Sequence, residues 1–118
     1  MRRMATLALL AVAFFITAAP AEEKFGVKVY DGATYDSDVS QYVSKIGSAE
    51  AACYATKAPL GQVNEFYKKQ PGVTVLSTLS TGGLFTKDNI NITTQNPWSD
   101  VPRKQHRTDT LLCIVKVR

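Results

Sequence analysis

The chain predicts an α+β domain, an antiparallel sheet of about five strands with two helices packed on one face. Three observations carry that expectation. The segments from Val39 to Ile46 and from Leu60 to Tyr67 repeat apolar residues at the 3.6-residue period of an amphipathic helix. A strand-like run, Ala51 to Thr56, lies between them. After Gly72 the character changes to β-branched runs separated by turn residues, the pattern of consecutive antiparallel strands.

Ahead of these elements, Arg2 and Arg3 precede a run without charge from Ala5 to Ala19, and Ala19-Pro20-Ala21 follows with small residues. That order is the signature of a secretory signal peptide cleaved after Ala21. The apolar run is shorter than the roughly 20 residues a spanning helix needs, and Glu22-Glu23 follows it in place of a basic stop, so no membrane span is expected after cleavage. The chain then divides into a leader, 1–21, and a single α+β domain, 22–118. Of 14 basic and 10 acidic residues, two arginines leave with the leader, so the mature net charge falls from +4 to +2. A charge that weak and mixed gives no reason to expect nucleic acid as a partner.

From Glu22 to Tyr35 the chain reads as a short extended entry with a turn at Gly32. Asp36 or Ser37 then N-caps a helix whose apolar face is Val39, Tyr42, Val43 and Ile46 and which stops at Gly47. Pro59 opens the second helix, Leu60, Val63, Phe66 and Tyr67 form its buried stripe, and Lys68 and Lys69 suit the negative end of its dipole before Pro71-Gly72 ends it. Strands follow in the stretches 73–80, 83–88 and 89–96. The last run, Thr110 to Val117, is apolar at both parities from Leu111 to Val115, as a central strand covered on both sides is. Cys53 and Cys113 both fall inside strand-like runs. In an oxidising compartment such a pair is a disulfide candidate, against the alternative of two buried thiols.

Chemistry-bearing patterns are sparse. A nucleophilic site needs a nucleophile, a base and an orienting group, and His106 is the sole histidine, with no serine or cysteine partner placed by the sequence. Neither a metal site nor a cofactor is indicated: the ligand spacings of zinc are missing, and Asp36 and Asp38 lack further ligands nearby. Catalytic residues are therefore not assigned. The densest chemical character lies in 96–110, a connector between two strands that holds Trp98, Arg103, Lys104, His106 and Arg107. A connector of that length is either functional or a solvated link. Trp98 with Arg103, Lys104 and Arg107 is the candidate partner-binding set, aimed at an anionic partner.

Tyr54, Thr56, Val63, Phe66, Tyr67, Lys68 and Lys69 form a Tyr-x-Thr…Val-x-x-Phe-Tyr-Lys-Lys motif. Taken with the upstream Val29-Tyr30-Asp31 and the downstream Pro97-Trp98, the chain resembles small exported bacterial domains of unknown function. Such domains often place an acid or hydroxyl just before the second helix, where this chain has Ala58-Pro59. The resemblance implies an exported α+β domain without known catalytic residues. The functional expectation is a periplasmic or secreted, non-enzymatic domain that binds an envelope protein or small ligand, or supports the envelope. The alternative is a small hydrolase or lyase with a site around His106 and the 96–110 loop. Processing is directly testable. Intact mass of the protein exported by its native host is expected to correspond to a chain beginning at Glu22, and retention of residues 1–21 would revive a membrane anchor.

Overall fold

The computed structural model describes residues 22–117; the leader expected at 1–21 lies outside them. Among the described residues two helices, α1 (Ser37–Gly47) and α2 (Leu60–Lys68), are interspersed with ten strands: β1 (Glu23–Lys24), β2 (Val27–Lys28), β3 (Thr34–Tyr35), β4 (Glu50–Thr56), β5 (Thr74–Leu79), β6 (Gly82–Lys87), β7 (Ile90–Gln95), β8 (Trp98–Asp100), β9 (Gln105–Arg107) and β10 (Thr110–Lys116). Six of the strands form one antiparallel sheet in the order β3-β4-β10-β7-β6-β5, while β1-β2 and β8-β9 are separate hairpins. The α+β class agrees with the sequence. The sheet has six strands where about five were expected, because Thr34–Tyr35, read as part of an extended entry, pairs with Ala55 and Tyr54.

The two helices do not share a face. Side chains alternate across a strand, and in β10 Leu112 and Ile114 join a core with Ala52, Tyr54, Ile92, Phe85 and the α2 residues Val63 and Tyr67. Leu111, Cys113 and Val115 point the other way and meet Cys53, Trp98 and the α1 residues Val39 and Val43. α1 and α2 therefore cover opposite sides, which corrects the expectation of two helices on one face. The physical reason is visible in β10 itself: a strand apolar at both parities requires an apolar cover on each side.

On the α2 side, Tyr67 is fully buried, and its hydroxyl donates to the Lys28 carbonyl at 2.7 Å and accepts from the Tyr30 amide at 3.0 Å. The β2 hairpin is thereby bound to α2, and burial raises the Tyr67 hydroxyl well above the ordinary phenol range. Asn64, one helical turn earlier, lies against β6 and β7. The Thr94 hydroxyl donates to Asn64 Oδ1 at 2.5 Å, and Asn64 Nδ2 donates to the Gly82 carbonyl at 3.4 Å. Gly83 makes this approach possible, since a Cβ there would lie 2.7 Å from Asn64 Oδ1 and 2.8 Å from Thr94 Oγ1. Thr56 accepts from the Ala58 amide, and Pro59 stands at the N-cap of α2 with no side-chain bond.

On the α1 side, Asp36 is the N-cap, accepting from the Val39 amide at 3.1 Å. The expected apolar stripe is only partly used. Val39 is buried, Val43 is half-buried, and Ile46 is 65% exposed, while Ser40 is 2% exposed. Ser40 Oγ accepts from the Cys53 amide at 2.7 Å, and Ser44 Oγ accepts from the Ala51 amide at 2.9 Å. The Asp36 amide donates to the Cys53 carbonyl at 2.9 Å. α1 thus lies along β4 where the short β3 no longer covers it, and the two serines, four apart on one helical face, satisfy backbone groups a neighbouring strand would otherwise bind.

Cys53 and Cys113 sit directly opposite one another in β4 and β10 and form a disulfide, 60 residues apart in the chain. Closing a loop of that size stabilises by about 4 kcal/mol in the chain-entropy treatment. A Cys53→Ala/Cys113→Ala double variant is expected to unfold at markedly lower urea than the parent. An unchanged midpoint under non-reducing conditions would show that the bridge contributes nothing.

Candidate functional site: a charge-locked hairpin and an open sheet edge

The 96–110 stretch is structured rather than a plain connector. It leaves β7 through a cis Asn96–Pro97 bond and forms the β8-β9 hairpin, with Trp98 opposite Arg107, Ser99 opposite His106 and Asp100 opposite Gln105. Trp98 is 2% exposed and packs into the core that holds the disulfide. Its indole N–H donates to Asp109 Oδ1 at 3.0 Å, and the Arg107 guanidinium lies 4.6 Å from its ring centroid.

The two arginines are held by carboxylates. Arg103 meets both oxygens of Asp36, each at 3.0 Å, and also Asp100 at 2.9 Å and Asp38 at 3.3 Å. Arg107 meets Asp100 at 3.0 Å and Asp109 at 2.6 Å. Asp36 therefore caps α1 and receives Arg103 with the same carboxylate, so the hairpin is locked to the helix start. Burial opposes ionisation at Asp36, Asp100 and Asp109. Hydrogen bonds from Arg103 at Asp36, from both arginines at Asp100, and from Arg107 and Trp98 at Asp109 outweigh it and hold all three below the usual carboxylate range. The same contacts raise both arginines: at Arg103 the hydrogen bonds to Asp36 and Asp100 dominate, and at Arg107 the bond to Asp109 does.

Of the four residues singled out for partner binding, the hairpin thus turns Trp98 inward and pairs Arg103 and Arg107 within the molecule. An anionic partner would have to compete with carboxylates already in place. Lys104 differs: it is exposed at the tip in a left-handed conformation (φ 55°), with no carboxylate at ion-pair distance among the described residues. His106 is exposed on β9, and the clefts near the hairpin are lined by other residues, such as Thr56, Lys57, Arg107 and Asp109 in one of about 430 Å³. Among the described residues no group of three or more His, Cys, Asp or Glu side chains is placed to hold a metal ion.

The feature that sequence reading passed over is β5. Every residue from Thr74 to Leu79 is exposed, and Val75, Leu76 and Leu79 stand 40%, 56% and 67% exposed. Among the described residues β5 pairs only with β6, which leaves its outer row of backbone donors and acceptors without a strand partner there. From Val73 to Thr86 the chain carries no charge. Natural edges are blunted with lysine, proline, inward charge or bulges. Of these β5 has only a register shift between Val75 and Ser77, which leaves Leu76 outside the pairing. A cleft of about 380 Å³ adjoins the edge, with Ser77, Leu79, Leu84 and Gln95 around the glycines of β6. The available sequence signal is the long uncharged run, with Leu76, Leu79 and Leu84 in it.

No protein-family model, curated protein or solved structure matches this chain. What fold and site define is a disulfide-bridged α+β domain in which α1 closes the part of β4 that the short β3 leaves free, while β5 is open along its length.

Because the Asp36, Asp100 and Asp109 carboxyls are depressed in the folded state, the stability they contribute is present above the unfolded carboxyl value of about 4 and is lost as pH falls through the folded values. Urea unfolding is expected to give a plateau near neutral pH and a fall below about pH 4. Asp100→Asn, which leaves two arginines facing a neutral amide, should cost about 3 kcal/mol at pH 7 and flatten the acid limb. That figure is the low end for broken ion pairs because both arginines reach solvent. An Asn variant with the full acid limb would place the pH dependence elsewhere.

Proposed function

We propose that the chain is a small exported, non-enzymatic domain that acts by protein–protein contact, accepting a strand at the open edge of β5. The observation that carries this reading is the contrast between the two sheet edges. At one, Ser40, Ser44 and the Asp36 amide satisfy the free backbone of β4. At the other, β5 offers a full row of backbone groups flanked by exposed leucine and valine without a charge to deter pairing. Strand addition uses such an edge: main-chain hydrogen bonds give affinity and adjoining side-chain clefts give selectivity. Export is supported by the leader pattern and by the disulfide, which persists in oxidising compartments. No helix among the described residues is long and apolar enough to cross a membrane. The motif by which the chain resembles exported bacterial domains supplies core residues here, with Tyr54, Val63 and Tyr67 buried. It supports the placement and leaves the contact surface to the edge.

A photo-crosslinking residue at position 78, introduced into the protein expressed in its native host, is expected to yield a defined adduct. The same residue at position 104 serves as comparison, because Lys104 is the exposed cation of the hairpin. Adducts from position 104 with none from position 78 would move the contact surface to the hairpin and sink the edge reading.

A further inference from the structure

We infer that the strand received by β5 is the β5 of a second copy of this chain, joined antiparallel about a two-fold axis at Thr78. The inference rests on β5 being the contact surface and names what occupies it.

Charge is the first argument. A two-fold axis through a strand sets that strand against itself, so every charge on it would face its own sign. β5 and its flanks, Val73 to Thr86, hold none. A foreign strand carrying charges would desolvate them against leucine and hydroxyl groups with no counter-ion in reach. The chain's own β5 is matched to that surface, threonine and serine hydroxyls and leucines on both sides.

Register is the second. Ser77 is opposite Leu84 and Leu79 is opposite Gly82, so both point to the α1 side, while Thr78, opposite Gly83, points to the α2 side. Directly opposed residues in an antiparallel pair share a face. A two-fold axis through a residue meets that condition, and centring it on the regular run Ser77 to Leu79 puts it on Thr78. The second copy's Thr78 then faces Thr78, and its Leu79 faces Ser77. Opposed threonines are a favourable cross-strand pair. The contact is isologous and closes at two copies, because a two-fold axis uses the same patch on both molecules. The cleft of about 380 Å³ beside Ser77 and Leu79 adjoins the axis, so the two clefts of a dimer lie near one another across it.

The register shift at Leu76 ends the regular run on one side. Pairing is therefore short, and the dimer is a weak, concentration-dependent one of small interface.

The test uses the mature, disulfide-bonded protein. With Cys53 and Cys113 bridged, a new cysteine is the only free thiol among the described residues. Thr78→Cys places two thiols opposite each other on the axis, within the bridging range of about 4.4–6.8 Å between Cα atoms. Ser80→Cys sets them roughly 13 Å apart along the strand. Thr78→Cys is expected to form a covalent dimer at least about tenfold faster than Ser80→Cys, since only the first meets the distance condition. Sedimentation equilibrium of the parent should show mass rising with concentration. Thr78→Lys, which opposes like charges, should weaken association about tenfold or more while keeping the parental urea midpoint. Equal crosslinking rates for the two cysteine variants, or a parent that stays monomeric at all concentrations, would overturn the dimer. A monomeric parent whose position-78 photo-adduct is a different protein would overturn the second copy while leaving the edge as contact surface. No adduct at position 78 would remove both.

Discussion

The antiparallel pairing of β4 with β10 is the constraint on which the rest of this fold depends. Over seven residue pairs the two strands lie side by side at the centre of the sheet, with Cys53 directly opposite Cys113. Both strands alternate apolar residues to two sides at once, so two cores are needed and each needs its own cover. α2 with the β2 hairpin closes one core through Val63, Tyr67 and Val27; α1 with Trp98 closes the other over the disulfide. Moving the β10 register by one residue would exchange Leu112 and Ile114 with Cys113 and Val115 and lose both the bridge and the fit. The disulfide therefore pins register as well as shortening the unfolded chain's freedom.

Much of this was legible in the residues. The 3.6-residue period and end signals give α1 and α2 close to their observed bounds, and the double-faced apolar run of β10 correctly marks a central strand. The same run also bears on the helices, since a strand apolar on both faces requires a cover on each of them. Other features stayed hidden for a different reason. Ser40 and Ser44 are polar, so an apolar-period reading sends them to solvent and puts Ile46 inside; the structure reverses both because the serines serve backbone groups of β4. Nothing local to residues 37–47 says that a neighbouring strand will be too short.

The hairpin shows how a concentration of unusual residues can be structural in origin. Trp98, Arg103 and Arg107 attract notice because they are grouped, yet Asp100 and Asp109 of the same stretch hold them, together with Asp36 and Asp38, which lie more than sixty residues before Arg103. Arginine with several carboxylates in fixed geometry adds direction to the apolar contact of Trp98 with the α1 side chains. Asp100, with its side chain fully enclosed, is the centre of that group, since both guanidinium groups converge on it. A basic loop read alone suggests an anion outside the molecule; the fold supplies the anions from within.

The two edges of the sheet then stand in physical contrast. An unsatisfied row of backbone groups favours pairing with whatever extended chain is available, and a fold that closes one such row with two hydroxyls and a helix start shows that closure is within its means. At β5 no equivalent device is present apart from the displaced Leu76, and the exposed side chains are aliphatic where lysine or glutamate would discourage contact. Gly83 bears on the same point from beneath: it lets Asn64 reach Thr94 and Gly82, so α2 holds β6 closely from the face that points away from Ser77 and Leu79. β6 is therefore braced from below while β5, one strand further out, is left for contact. Rigidity next to an open edge lowers the entropy that an incoming strand must remove, and it makes the edge a prepared surface rather than a frayed one.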